Sequence, residues 1–266
     1  MNRTTGTSTW TDLSVQDLDA AKAFYSGVFG WTFDDLGEEF AHYAMITNSD
    51  GAYVGGAMSV AGMTTPDGKP LLTGWDTYLA VDDVEARLAA ALEKGATALS
   101  SIMDVGTDGR NVMLQDPTGA SVGMWQAKEF EGYEFTGKPG SPVWFELMTH
   151  DFDTASAFYG AVFDAQFVPM GEPMDDDSFR YVTNGPAETA SWGLCDASGA
   201  MPAEATGWRH YLAVDSTAAA IERIEEHGGR VLDGPIDSPF GRITTIADPE
   251  GATFQISAMS EAVPEG

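Results

Sequence analysis

The sequence predicts an α+β chain of two tandem domains, each made of two strand-helix-three-strand modules. Three observations predict it. Residues 8–25, STWTDLSVQDLDAAKAFY, return as residues 141–159, SPVWFELMTHDFDTASAFY, with Trp10 standing to Trp144 as Phe24 stands to Phe158. Two later landmarks repeat in the same order: GWDTYLAVDD at 74–83 answers GWRHYLAVDS at 207–216, and QDPTGASVGMW at 115–125 answers ADPEGATFQIS at 247–257. Within each copy, apolar residues recur at period two in some stretches and at i, i+3, i+4 in others, the marks of half-buried strands and amphipathic helices. Repeats this long are duplicated domains rather than solenoid units.

The first strand runs from Trp10 to Val15 and its copy from Trp144 to Thr149. Asp17 and Asp151 then stand as N-caps, and Ala20, Ala21, Phe24 and Tyr25 (Ala155, Phe158 and Tyr159 in the copy) supply one apolar helix face. A short strand begins at Trp31, and two more cover 40–47 and 52–60, joined by the Asn48-Ser-Asp-Gly51 turn, whose residues tolerate positive φ. Residues 64–69, TTPDGK, connect to the second module. There a strand over 76–81 precedes a helix over 83–94 with Val84, Leu88 and Leu92 on one face and Gly95 as its stop. Three short strands follow near 96–100, 110–115 and 120–126, the last two separated by the Asp116-Pro-Thr-Gly119 turn. Residues 128–142, KEFEGYEFTGKPGSP, have no sustained period and read as the linker, of which 128–137 lie between the two domains. The second copy repeats these elements, its second helix following Asp215, carrying Ala219, Ala220, Ile221 and Ile224, and ending at His227. That imidazole sits where a cation meets a helix C-terminus.

Composition narrows the function classes. Thirteen Lys and Arg against 41 Asp and Glu give a net charge of −28, and long-range repulsion disfavours unspecific binding to nucleic acid or an anionic membrane. The acidic runs Asp34-Asp35, Glu38-Glu39 and Asp175-Asp176-Asp177 read as solvated loops, since none has the spaced ligand pattern of a calcium loop. Cys195 is the sole cysteine, so no intramolecular disulfide forms, and it reads as a small apolar filler. No run of 18 apolar residues occurs and the N-terminus lacks a signal-type apolar core, so a cytoplasmic location is expected.

The Phe-Tyr ending of the first helix, the VDD before the second and the DP-x-G before the last strand resemble the vicinal oxygen chelate superfamily of glyoxalases, bleomycin-resistance proteins and extradiol dioxygenases. The likeness covers one glyoxalase-like domain at 5–127 and another at 138–258. It implies curved mixed sheets, each enclosing a cup, and in the enzymes a divalent metal held by His, Gln or Glu on cup-facing strands. The positions that the family uses hold Trp10 and Trp144 on the first strand and Asp76 and Arg209 before VDD. They hold Gly123 and Gln255 on the last strand, and fall near Gly55-Gly56 and Trp192-Gly193 on the fourth. Trp, Arg and Gly are not metal donors, so no metal and no cofactor is expected. His210 lies one residue from a ligand position, but strand alternation turns Arg209 and Tyr211 toward the cup and His210 with Leu212 beneath the helix. His42 and His150 fall near strand ends and carry no such role.

By the same alternation the first cup holds Trp10, Asp12, Asp76, Tyr78, Gly123 and Trp125, and the second Trp144, Glu146, Arg209, Tyr211, Gln255 and Ser257. Flat aromatics with a few ionisable groups make a small-molecule pocket, although aromatics alone would equally fill a closed core. Asp12, Asp76 and Glu146 are the candidate proton carriers. The candidate substrate contacts are Trp10, Tyr78, Trp125, Trp144, Arg209, Tyr211 and Gln255. Arg110 and Arg242, each ahead of a DP-x-G turn, could bind a ligand carboxylate or enolate, and Glu146 could pair with Arg209. Two readings follow. One is a metal-independent lyase, isomerase or cyclase acting on a small, partly aromatic or polyketide-like metabolite. The other is a non-catalytic module that sequesters a drug-like ligand. A metal-dependent glyoxalase or dioxygenase fits less well, and the chain is expected to be a monomer or homodimer.

Overall fold

The computed structural model describes residues 3–65, 68–170, 180–199, 201–202 and 206–263. The first repeat contributes β1 (Ser8–Val15), α1 (Leu18–Phe29), β2 (Thr32–Asp35), β3 (Ala44–Thr47), β4 (Tyr53–Ser59), β5 (Gly74–Ala80), α2 (Val84–Glu93), β6 (Thr97–Ala98), β7 (Met103–Val105), β8 (Gly109–Gln115) and β9 (Ser121–Ala127). The second contributes β10 (Pro142–Thr149), α3 (Phe152–Phe163), β11 (Val168–Pro169), β12 (Tyr181–Thr183), β13 (Gly193–Asp196), β14 (Gly207–Ala213), α4 (Thr217–Glu226), β15 (Arg230–Ser238), β16 (Gly241–Ala247) and β17 (Thr253–Ala258). Strands β1–β9 belong to a sheet of nine strands and β10–β17 to one of eight, so the α+β class read from the sequence holds.

Local chemistry sets the elements where the sequence places them. Asp17, Asp83 and Asp151 cap α1, α2 and α3, each accepting a hydrogen bond from the backbone N–H three residues on. Asn48 Oδ1 accepts from the Asp50 and Ala52 N–H groups at 3.0 Å and closes the turn between β3 and β4. Several details differ from the sequence reading. Phe40 lies in a 3-10 turn and Ala41 and His42 have positive φ, so β3 starts only at Ala44. β7 was not anticipated. On α2 the buried residues are Val84 and Ala91, while Leu92 is 48% exposed, because the i, i+7 stripe passes one position short of it. Of the linker, residues 128–141 form no helix or strand and Pro142 already opens β10, yet Tyr133 is buried and the Phe130 ring meets Trp10 edge-on at 5.1 Å. Asp175–Asp177 lie outside the described residues.

The chain divides into two compact units that do not follow the repeats. Unit 1 comprises Met1–Trp10, Asp76–Gly132 and Phe145–Arg209, and unit 2 comprises Thr11–Trp75, Tyr133–Trp144 and His210–Gly266. Each therefore takes its first-module segment from one repeat and its second-module segment from the other. In unit 2, strands in the order β2-β3-β4-β1 and β14-β17-β16-β15 carry α1 and α4, whose apolar faces share a core of Leu13, Phe24, Val28, Leu212, Ile224 and Phe254 among others. In unit 1, β11-β12-β13-β10 and β5-β9-β8-β6 carry α3 and α2, with β7 paired to β8.

The recurring motifs explain this exchange. Tyr25 of the first Phe-Tyr donates to Asp248 Oδ2 at 3.1 Å, and Tyr159 of the second donates to Asp116 Oδ2 at 3.0 Å. The other oxygen of each aspartate folds its own turn, Asp248 Oδ1 accepting from the Glu250 and Ala252 N–H groups and Asp116 Oδ1 from those of Thr118 and Ala120. Each phenol is wholly buried and its pKa rises well above the ordinary tyrosine value, through burial first and the facing carboxylate second. Helix ends are tied in the same crossed manner. Arg223 of α4 donates to the Val28 carbonyl and Arg87 of α2 to the Val162 carbonyl, placing a guanidinium at the negative end of α1 and of α3. Gly27 of α1 faces His227, whose Nδ1 lies 2.8 Å from the Arg223 carbonyl at the end of α4, the structural role read from the sequence.

Candidate functional site

In unit 2, β1 places Asp12 opposite Gly56 of the parallel strand β4. Asp12 is 8% exposed, and the Tyr43 hydroxyl, from the residue just before β3, donates to its Oδ1 at 2.6 Å. A Cβ on Gly56 would overlap the Tyr43 Oη and stand 2.8 Å from Asp12 Oδ1. Glycine is therefore required there by the approach of the phenol. Unit 1 repeats the arrangement: Glu146 of β10 faces Gly193 of β13, and a Cβ on that glycine would overlap the Tyr181 hydroxyl. Tyr43 and Tyr181 were missed in the sequence. The signal that could have found them is the glycine inside a strand, which marks a close approach and was read only as a lost ligand.

Elsewhere in unit 1, Tyr78 of β5 is register-paired with Gly123 of β9, and its ring occupies the space that a side chain at 123 would need. Trp10 and Trp125 both meet the Phe130 ring edge-on, at 5.1 and 6.3 Å, and Trp125 Nε1 donates to the Phe130 carbonyl at 2.9 Å. Both indoles are under a tenth exposed. Asp76 is half-buried in the same unit. Arg209 and Glu146 both act electrostatically on Cys195, whose thiol is pushed up to about 12 by burial, then by the Glu146 charge, with Arg209 opposing. Among the described residues Arg209 forms no ion pair with Glu146; its Nη2 lies 3.0 Å from Met201 Sδ. Arg110 is taken up by Glu85 at 2.6 Å and Asp104 at 3.3 Å.

In unit 2, Tyr211 stands beside Gln255 in register, and both are buried. Gln255 Oε1 has no hydrogen-bond partner among the described residues. Trp144 is half-buried, and Arg242, 45% exposed, pairs with Asp237 at 3.3 Å. His210 is 2% exposed with its ring 5.7 Å from that of Trp75, while Leu212 and Val214 join the core beneath α4, as strand alternation requires. His42 pairs with Asp35 at the surface.

The family description Glyoxalase/Bleomycin resistance protein/Dioxygenase superfamily matches residues 7–124 and 141–256. The chain belongs to this superfamily. CFP32 of Mycobacterium tuberculosis, a glyoxylase by its provisional name, is 36% identical over 94% of each chain. The anthracycline biosynthesis proteins DauV of Streptomyces sp. strain C5 and DnrV of Streptomyces peucetius are each 32% identical over 97% of this chain and 95% of their own. Among solved structures, the 2,3-dioxygenase LapB from Pseudomonas sp. KL28 superposes with a TM-score of 0.65 at 14% identity, over 96% of this chain and 93% of LapB. The Mn(II)-bound glyoxalase from Novosphingobium aromaticivorans gives 0.59 at 17%, over 97% and 84%. These two likenesses are of fold.

The family's metal is not matched by the residues at the family's positions. Among the described residues no group of three His, Cys, Asp or Glu side chains is set to hold an ion. Gly56 and Gly123 could not be exchanged for a carboxylate ligand without displacing Tyr43 or Tyr78, and Arg209 brings a positive charge.

No helix among the described residues is long and apolar enough to cross a membrane.

Proposed function

We propose that this chain transforms a small, partly aromatic or polyketide-like metabolite by metal-independent acid-base chemistry of the lyase, isomerase or cyclase type. Asp12 is its main proton carrier, with Asp76 and Glu146 as further carriers. The observation behind this reading is the 2.6 Å hydrogen bond from Tyr43 to the buried Asp12 carboxylate, set beside a ligand position that the family gives to metal. A phenol against a carboxylate holds the acceptor oriented and keeps a transferable proton next to it. Asp12 would take a proton from a carbon flanking a carbonyl, and Tyr43 would donate to the enolate oxygen that forms. Return of the proton to another atom completes an isomerisation or ring closure with no redox partner. The substrate class rests on the resemblance to two proteins named for anthracycline biosynthesis.

The test is turnover of a panel of tricyclic and tetracyclic aromatic polyketides, followed by liquid chromatography and mass spectrometry. Asp12→Asn should lower kcat by about 100-fold or more with ligand binding retained, and Tyr43→Phe by about tenfold. Unchanged turnover in Asp12→Asn, Asp76→Asn and Glu146→Gln alike rejects the reading. The aromatic group of Trp10, Phe130 and Trp125 favours a second reading, a sequestering module. It expects tryptophan quenching on titration and recovery of the ligand unaltered; recovery of a transformed product excludes it.

A further inference from the structure

The positive charges in unit 1 are mostly neutralised where they stand. Arg87 is held by Asp82 and Asp164, Arg110 by Glu85 and Asp104, and Arg180 by Asp153 and Asp196. Lys128 also pairs with Asp104. Arg209 differs. It is half-buried, makes no ion pair among the described residues, and its Nη2 points at a thioether, Met201 Sδ, at 3.0 Å. Around it lies a soft apolar group of Met148, Cys195 and Ala197, with Tyr181 and Met201 packed against them. A guanidinium without an oxyanion forgoes the two parallel hydrogen bonds that suit it best, and a thioether is a weak acceptor. In a chain with 41 acidic residues, a half-buried arginine that forms no ion pair among the described residues leaves a charge that an outside acid can meet. The equivalent residue of the first repeat is Asp76, of opposite charge, so the two repeats offer different chemistry at one position of the fold.

We propose that Arg209, bordered by Met201, Cys195, Met148 and Tyr181, is an anion-recognition site for a flat aromatic ligand bearing a carboxylate or acidic phenol. The proposal rests on the reading above for its ligand class and deepens it: Arg209 selects the acidic substituent of that ligand. The polarisable sulfur atoms and the phenol ring accept an aromatic edge, and the guanidinium offers an oxyanion two parallel hydrogen bonds.

The experiment is calorimetric titration of the full chain with anthraquinone-2-carboxylate and with its methyl ester. The wild type should prefer the acid by about tenfold or more. Arg209→Met, which keeps the stem volume, should bind acid and ester alike, and Arg209→Lys should keep part of the preference. Thermal unfolding of each variant checks that it is folded. Equal affinity of the wild type for acid and ester, binding of neither, or a preference that survives in folded Arg209→Met overturns the proposal. The three carboxylate variants separate the two ideas. A retained acid preference with turnover also retained in Asp12→Asn, Asp76→Asn and Glu146→Gln alike sinks the catalytic reading alone, and turnover in a wild type that shows no acid preference sinks this one alone.

Discussion

Replacement of Tyr25 by Phe tests the crossed pairing of the motifs. The phenol is fully buried, donates to Asp248 Oδ2 at 3.1 Å and accepts from Trp75 Nε1 at 3.3 Å. Its loss removes a hydrogen bond to a charged acceptor, worth about 1.5–3 kcal/mol, and leaves one oxygen of a buried carboxylate and one indole N–H unsatisfied. The ring itself stays, so its stacking on Trp31 at 5.2 Å is kept. The sum is about 3 kcal/mol, or about 6–12 °C in the midpoint for a chain of this size. Denaturant unfolding gives the magnitude, and native-state hydrogen exchange gives the location. Exchange should quicken in β2–β4 and β15–β17 together and leave β5–β9 protected, because Tyr25 belongs to unit 2. Tyr159→Phe should do the converse. A loss under about 1 kcal/mol, or faster exchange confined to residues 5–127, would refute the argument.

Further outcomes follow from the same contacts. Gly56→Ala and Gly193→Ala should each cost about 1–3 kcal/mol by thermal unfolding, since the new methyl overlaps Tyr43 or Tyr181; a neutral effect at both would mean that the tyrosines do not sit over these strands. Cys195, 3% exposed and with its thiol pushed up to about 12, should resist Ellman's reagent at pH 8 until the protein is unfolded. Immediate titration of one thiol in the native protein contradicts that burial. Burial raises the Asp248 carboxyl above its ordinary 3.8 against the lowering effect of the Ala252 N–H and Tyr25. A folded-state value above the unfolded one means that its contribution is fully present below about pH 3.8 and is lost as pH rises through the folded value. The stability difference between wild type and Asp248→Asn should therefore shift against the wild type on going from mild acid toward neutrality; a shift the other way would place the folded value below the unfolded one.

The sequence by itself determined the order of elements. Strand alternation, the Asp17 and Asp151 caps and the Asn48 and DP-x-G turns are local, set by residues within a few positions of one another, and the structure holds them. Facing was legible for the same reason: a buried His210 on the side of β14 that Leu212 and Val214 turn to α4 follows from period two alone. What the sequence could not determine is which copy of a motif meets which. Both repeats carry a Phe-Tyr and a DP-x-G, so Tyr25 has two chemically identical aspartates open to it, and only the packing of α1 on α4 gives it Asp248 rather than Asp116. The same limit hid Tyr43. A glycine in a strand records that something approaches, but the approaching phenol comes from the residue that leads into β3, and its identity is fixed by the register of β3 on β4, a property of the folded chain.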